Sequence, residues 1–467
     1  MMGEKRQYFL CGIGGSGMLP LALILKAKGH AVAGSDRALD QGRTGAKFDF
    51  LRARAIGLFP QDGSGLADPA QILVASAAVE DTVPDVIAAK RLGARRMGRA
   101  ELLADLFNAA PTPIGVAGTS GKSTVTAMIA WILHQNGKDP TVMNGAVMKN
   151  FATADALFAS ALVGEGDPFV SELDESDGTI ALYRPRIAVL NNISLDHKSM
   201  EELRALFGDF LSHAEIAVIN RDNEETMRLA ARARKTISYS IDAADADLGA
   251  EAIAPAPFGV SFVAVNRATK EKIAVELKTP GRHNVSNALA AIGAALAAGV
   301  SFHEAATALS DFAGVKRRFE HVGEAAGVTV IDDFGHNPDK IAATLRTLHE
   351  FDGRLLVLFQ PHGFGPLKKM KAEFIDCFAA NLAPDDVLLM PEPVYFGGTV
   401  DRSVGSEAIA AGVRAGGRNA EVLATREDCG ERLLALARPG DRVIVMGARD
   451  DTLSQFAAML LEVFRRR

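Results

Sequence analysis

The chain has 467 residues, 48% apolar and 23% charged, with a formal net charge of −6. That length predicts about three domains of ~150 residues, each able to bury its own core, and the acidic balance argues against a nucleic-acid partner, since there is no basic excess to replace phosphate counterions. No apolar run reaches the ~18 residues of a membrane span, the first residues lack the apolar core of a secretory signal, and three scattered cysteines (Cys11, Cys377, Cys429) suit a reducing compartment, so a cytoplasmic protein without a membrane partner is expected.

In chain order, short apolar runs alternate with helix-length amphipathic stretches. "YFLCGI" (8–13), "AVAGSD" (31–36) and "ILVASA" (72–77) predict strands; "MLPLALILKAKG" (18–29), "TVPDVIAAKRLG" (82–93) and "AELLADLF" (100–107) predict helices. "NAAPTP" (108–113) reads as a linker. A second series starts at "IGVAG" (114–118) and continues through "FVSELDESD" (169–177), "IAVLNNIS" (187–194) and "EIAVINRD" (215–222). In each, an apolar strand runs into polar residues, the edge at which open α/β sheets bind ligands. Residues 236–280 read as short strands of an antiparallel appendage, and 283–299 as a helix. A third series contains "VTVIDDFGH" (328–336), "RLLVLFQPH" (354–362), "DVLLMPE" (386–392) and "RVIVMGARDD" (442–451). The rhythm predicts an α/β protein of parallel sheets with helices on both faces.

Two glycine-rich turns carry the chemistry. In "CGIGGSGM", Gly12, Gly14, Gly15 and Gly17 would let a diphosphate approach the backbone at a helix N-terminus. Asp36, closing the next strand, is a carboxylate for a ribose hydroxyl. From these residues alone the turn reads as a dinucleotide site or as a tight turn that needs glycine. In "VAGTSGKSTVT" the pattern GxxGK[ST] lies between a predicted strand and helix, which reads as a phosphate-binding loop. Its N–H groups would cradle phosphates, Lys122 would reach the β- and γ-phosphates, and Ser123 would hold Mg²⁺. Longer loops of this kind have glycine where Val116 stands.

Over nearly the whole chain the sequence resembles the Mur ligase family. The carriers are "GIGGSGM" (12–18), "GTSGKST" (118–124), "SELDESD" (171–177), "NNISLDH" (191–197), "GRHNVSNALAA" (281–291), "VKRRFEHVGE" (315–324), "DDFGHNP" (332–338) and "QPH" (360–362). Within the family they divide between the branch that adds L-alanine to UDP-N-acetylmuramate and the branch that recycles a ready-made tripeptide. The resemblance implies an ATP- and Mg²⁺-dependent amide ligase acting through an acyl phosphate. Its amine would be L-alanine or, alternatively, the tripeptide L-Ala-γ-D-Glu-meso-diaminopimelate. It implies three domains: a Rossmann-like UDP-sugar domain (1–107), a central ATPase-like parallel sheet (108–313) and a Rossmann-like amine-binding domain (314–467). It also replaces the dinucleotide reading of the first turn, so that Gly12, Gly14, Gly15, Ser16, Gly17, Met18, Ser35 and Asp36 would hold the UDP-sugar.

The same resemblance implies that Gly118, Thr119, Ser120, Gly121, Lys122, Ser123, Thr124, Asn284, Asn287, Arg318 and Asp333 bind ATP. Ser123, Glu172 and His197 would hold Mg²⁺, and Lys122, Glu172, His197 and Arg318 would be catalytic. His336, Asn337 and His362 would face the amine. Arg449, at the end of "RVIVMGA", is the cation assigned here to the amino acid's carboxylate. Asp174 and Glu175 are expected to support the metal residues, and Arg317 to be a surface charge. Ser120 departs from the histidine of the nearest branches, and Gly363 from their arginine. No lysine lies between Lys198 and Lys235, so the carbamoylated lysine of several relatives is not expected. Only small-molecule partners are expected, for a monomer or homodimer.

Overall fold

The structure is a computed structural model, described here for residues 5–77, 79–175, 178–194, 198–393, 401–448, 450 and 452–467. The chain packs as two compact units. The first comprises the residues up to Ile253, with Phe262–Leu277 and Val285–Val315; the second comprises Ala254–Ser261, Lys278–Asn284 and Lys316–Arg467.

The first unit holds two sheets. One runs Gly57–Phe59, Ala31–Ser35, Gln7–Cys11, Gln71–Ala75, Arg96–Gly98, all parallel. The chain builds outward from Gln7–Cys11 to one side and then to the other, so the end of that strand is a topological switch point, where doubly wound sheets bind ligands. Its apolar residues Tyr8–Cys11 are buried without alternation, as expected of a parallel strand covered on both faces. The fit is close: a Cβ on Gly34 would lie 2.3 Å from Leu10 O in the next strand.

The other sheet has ten strands, with Thr112–Ala117 between Ile187–Leu190 and Pro168–Glu172, all parallel. The predicted linker is shorter than 108–113. Helix Arg99–Asn108 is followed directly by strand Thr112–Ala117, and Pro113 lies inside that strand. Proline is tolerated there because its carbonyl still accepts from Arg186 N (2.9 Å) and only its missing N–H is lost. The segment 236–280 extends this same sheet. Thr236–Ser240 pairs parallel to Ile216–Asn220. Leu248–Ala256 pairs parallel to Thr236–Ser240, and Gly259–Asn266 and then Glu271–Leu277 follow it at the edge, through connections too short for parallel crossovers.

The second unit carries a six-stranded sheet, in order Glu320–Ala325, Val328–Asp333, Arg442–Gly447, Leu355–Gln360, Val387–Pro391, Asn419–Leu423. Only the first pair is antiparallel. Alternate residues of Leu355–Gln360 feed two separate cores: Leu355, Val357 and Phe359 join one, and Leu356 and Leu358 the other. Among the described residues no helix is long and apolar enough to cross a membrane.

Candidate active site

The second glycine turn joins strand Thr112–Ala117 to helix Lys122–Gln135. Gly118 (φ +130°) and Gly121 (φ +84°) adopt backbone angles that strain any residue with a Cβ. The turn is held from the end of the adjacent strand. Ser120 N donates to Asn192 Oδ1 (2.8 Å), and Ser120 O accepts from Asn191 Nδ2 (2.9 Å) and Asn192 Nδ2 (3.0 Å). Thr119 N donates to Asn192 O (3.0 Å), while Thr119 Oγ1 accepts from Ser194 N (3.0 Å). Lys122 Nζ donates to Gly118 O (2.6 Å) and to Glu175 Oε2 (2.8 Å), with only 13% of the lysine side chain and 6% of the glutamate exposed. Burial pulls the Lys122 pKa down, but Glu175, Glu172 and Asp174 outweigh it and hold the ammonium above its ordinary range. Glu175 is therefore the partner of the loop lysine, a pairing the sequence reading did not foresee.

Glu172 ends the strand beside the loop, opposite Val116, and its Oε2 accepts from Gly145 N (2.9 Å). The residue before Gly145 was missed altogether. Asn144 follows strand Thr141–Met143, is 1% exposed, and donates from Nδ2 to Ser123 O (3.1 Å). Its Oδ1 is buried with no hydrogen-bond partner among the described residues. A buried acceptor without a donor is costly, and an ion or water at this oxygen would offset that cost. The only sequence signal was "NG" at the end of an apolar run. Magnesium takes oxygen donors and keeps several of its waters. Ser123 at the helix start and Glu172 and the Asn144 amide oxygen at neighbouring strand ends are oxygen donors, and these residues fit that ion. His197, the other metal candidate, lies outside the described residues.

At the first glycine turn, Gly12 N and Ile13 N both donate to Ser35 O (2.8 and 2.9 Å), and Gly12 has φ +78°. Asp36 closes the turn. Its Oδ2 accepts from Gly14 N (2.8 Å) and its Oδ1 from Ala38 N (2.8 Å), so it also caps the helix Arg37–Asp40. Both carboxylate oxygens thus accept from backbone, and each keeps acceptor capacity for the ribose hydroxyl expected there. Ser35 Oγ donates to the fully buried Asp85, and the Met18 side chain belongs to the core. Of the residues assigned to the UDP-sugar, the glycines and Ser16 are the ones whose backbone forms the turn.

In the second unit, Arg317 corrects the reading of it as a surface charge. It is 7% exposed and donates to Gly447 O (2.7 Å) and Asp450 O (2.9 Å), with Asp332 at 3.4 Å. Burial pushes the Asp332 carboxyl up to about 6, against the pull of Arg317. Arg318 stacks its guanidinium 4.3 Å from the centre of the Phe334 ring. Asp333 accepts from Phe319 N (2.8 Å), Gly335 N (2.8 Å) and Thr344 Oγ1 (3.2 Å), and Asn337 caps helix Pro338–Leu348 through Lys340 N (3.0 Å). Asn284 Nδ2 donates to Pro280 O (2.7 Å).

His336 Nδ1 lies 2.9 Å from Phe334 O, which can only accept, so Nδ1 carries the proton and Nε2 the lone pair. Its ring meets His362 edge to face at 5.4 Å. Burial, with Lys340 and His362 nearby, holds the His336 pKa well below its ordinary value, so the ring is neutral. Lys368 pairs with Asp401. Arg449 lies outside the described residues.

Three family models match in order along the chain: "Mur ligase family, catalytic domain" over 8–110, "Mur ligase middle domain" over 116–295 and "Mur ligase, glutamate ligase domain" over 317–449. The UDP-N-acetylmuramate–L-alanine ligase of Agrobacterium fabrum is 36% identical over 466 residues, covering 96% of this chain and 95% of its own. That of Nitratidesulfovibrio vulgaris is 36% identical over 459 residues, covering 96% and 97%. Among solved structures, the UDP-N-acetylmuramate–alanine ligase of Thermotoga maritima matches with a TM-score of 0.79 at 24% identity, over 98% of this chain and 99% of that one. A murein peptide ligase of Psychrobacter arcticus matches with a TM-score of 0.71 at 26% identity, over 99% of each.

Proposed function

The chain belongs to the Mur ligase family, and from that premise we propose that it joins L-alanine to UDP-N-acetylmuramate in an ATP-dependent, ADP-forming reaction. The full-length identity to L-alanine ligases carries this reading; the loop geometry supports it.

A carboxylate does not condense with an amine at neutral pH. In the proposed route an oxygen of the muramate carboxylate attacks the γ-phosphorus of ATP, and ADP leaves with the electron pair of the broken bond. The amine lone pair of alanine then attacks the acyl phosphate carbon. The tetrahedral species sheds a proton and expels phosphate to leave the amide. Positioning and charge neutralisation are what such a reaction asks of a protein. The N–H groups of Gly121, Lys122 and Ser123 cradle the ATP phosphates, those of Thr119 and Ser120 being engaged by Asn192. Lys122 exchanges its bond to Glu175 for phosphate oxygens, which is why a buried carboxylate beside it is useful: the lysine stays charged and placed until nucleotide arrives. Ser123, Glu172 and His197 would hold Mg²⁺, which when bound would supply charge neutralisation at the γ-phosphate. Asn284, Asn287, Arg318 and Asp333 keep their assignment to the nucleotide, and the first glycine turn its assignment to the UDP diphosphate. His336, neutral and with Nε2 open as an acceptor, suits removal of the amine's proton.

The murein peptide ligase likeness favours a second reading, with a peptide as the amine. Gly363, at φ +147° after His362, replaces a bulky cation and would give a larger acceptor room. Phosphate release with ATP, Mg²⁺ and UDP-N-acetylmuramate, measured against a panel of amines, separates the two. Turnover with L-alanine above all others supports the first reading, and turnover with the tripeptide alone replaces it with the second.

A further inference from the structure

Beneath the turn Gly118–Gly121 runs a row of buried polar side chains, of which Tyr239, Asn220 and Asn191 have no part in the ligation chemistry described above. Four parallel strands end side by side: Thr112–Ala117, Ile187–Leu190, Ile216–Asn220 and Thr236–Ser240. From the last, the fully buried Tyr239 donates its hydroxyl proton to Asn191 Oδ1 at 2.6 Å. From the third, Asn220 Nδ2 donates to Asn191 O at 2.8 Å. Asn191 is 3% exposed, and its Nδ2 donates to Ser120 O (2.9 Å) and Asn287 Oδ1 (3.0 Å). A Cβ on Gly121 would lie 2.4 Å from Asn191 Nδ2 and 2.6 Å from Asn287 Oδ1, so this amide pair lies directly under the peptide that precedes Lys122.

We propose that Tyr239 and Asn191 are positioning residues for the phosphate loop: the Tyr239 hydroxyl satisfies the oxygen end of the Asn191 amide, whose donor end holds the Ser120–Gly121 backbone in its phosphate-receiving shape. An amide has an acceptor end and a donor end, and sterically it fits either way round. Ser120 O can only accept, so the donor end must face it. The other end is then an oxygen that needs a donor in a dry, low-dielectric site, where an unpaired group is expensive. Tyr239 supplies that donor. A phenylalanine would fill the same space and leave Asn191 Oδ1 unpaired. The amide must then stay unsatisfied, or turn and set its oxygen against Ser120 O; either way the loop loses its single shape. The neighbouring Asn192 pairs with both the N–H and the C=O of Ser120, so the loop keeps its place while its ordering at Gly121 weakens.

This inference rests on reading Gly118–Gly121 as the ATP loop. The test compares the full-length chain with Tyr239→Phe, Asn191→Ala, Asn191→Asp and the Tyr239→Phe/Asn191→Ala double variant. The readouts are affinity for a non-hydrolysable ATP analogue with Mg²⁺ by calorimetry, KM for each substrate, kcat and Tm. Tyr239→Phe is expected to weaken ATP about tenfold, as for one unsatisfied buried acceptor, with kcat and the UDP-sugar KM unchanged. Asn191→Ala weakens ATP further. The double variant matches Asn191→Ala, because Tyr239 acts through Asn191. Asn191→Asp still accepts from Tyr239 but sets an oxygen against Ser120 O, and loses at least as much as the alanine variant. A Tyr239→Phe protein that loses Tm alone, with ATP affinity unchanged, overturns the proposal, as does a double variant whose losses add. Wild-type protein that binds the analogue yet makes no amide refutes the ligase reading and leaves this inference standing. Wild-type protein that does not bind the analogue ends both.

Discussion

The first unit contains the same device twice and uses it differently. Both glycine turns follow a central strand of a parallel sheet and open a helix. At the first, the residue entering the helix is Met18, buried in the core, and a carboxylate, Asp36, closes the turn by accepting from Gly14 N and Ala38 N. At the second, the entering residue is Lys122, and carboxylates and amides surround a buried cation. A turn without a cation at its helix start can hold a diphosphate by backbone alone. A turn with a paired, desolvated lysine can neutralise charge that develops during phosphoryl transfer. On the proposed assignments, glycine spacing marks where a phosphate lies, and the residue after the last glycine marks the chemistry done on it.

The largest effect is expected from Lys122→Ala. Removing a cation aimed at the transferring phosphate should cost at least ~10²-fold in rate. It also leaves Glu175 buried and unpaired, at about 3–5 kcal/mol of stability. Adding Glu175→Gln should restore much of the Tm and none of the activity; recovery of both would end the distinction between the two turns. Glu172→Gln comes next. It should raise the Mg²⁺ concentration for half-maximal activity by about tenfold, the scale at which metal sites respond to lost partners, and an unchanged titration would remove Glu172 from the metal site.

Asp36→Ala sharpens the comparison from the other side. Two backbone N–H groups lose their acceptor, costing about 1–2 kcal/mol. The UDP-sugar KM should rise while the ATP KM stays constant; a rise in both would show that the turns do not act separately.

The smallest effect lies outside both turns. The His336 pKa is depressed in the folded protein, so the unfolded chain binds its proton first as pH falls below about 6.5. Stability is therefore expected to drop with pH through that window, by up to about 1.4 kcal/mol per pH unit. His336→Asn should flatten that fall in urea titrations at pH 7 and pH 5.5. Asp332, raised to about 6, acts with the opposite sign but is common to both proteins and cancels in the difference.

The strand and helix rhythm was legible because apolar runs of strand length bury on both faces of parallel sheets, as Tyr8–Cys11 and Leu355–Gln360 do. The phosphate loop was legible because its glycines, lysine and serine are contiguous. What was not legible depends on partners far along the chain. Nothing near Glu175 announces a bond to Lys122, and nothing near Asn144 a bond to Ser123 O. Arg317 looked like the other cations of the run 316–318, yet its partners Gly447 O and Asp450 O lie 130 and 133 residues away. Asp36, Asp333 and Asn337 were read as ligand contacts; the sequence did not show that local backbone N–H groups also hold these side chains.

The central claim is that the muramate carboxylate is activated by phosphorylation and then captured by L-alanine. Incubating the protein with ATP, Mg²⁺, L-alanine and UDP-N-acetylmuramate labelled with ¹⁸O in its carboxylate tests it in one mass-spectrometric measurement. One labelled oxygen should appear in the released phosphate for each amide formed, with the other retained in the product. Unlabelled phosphate, or phosphate released with no amide bearing alanine, would contradict the account.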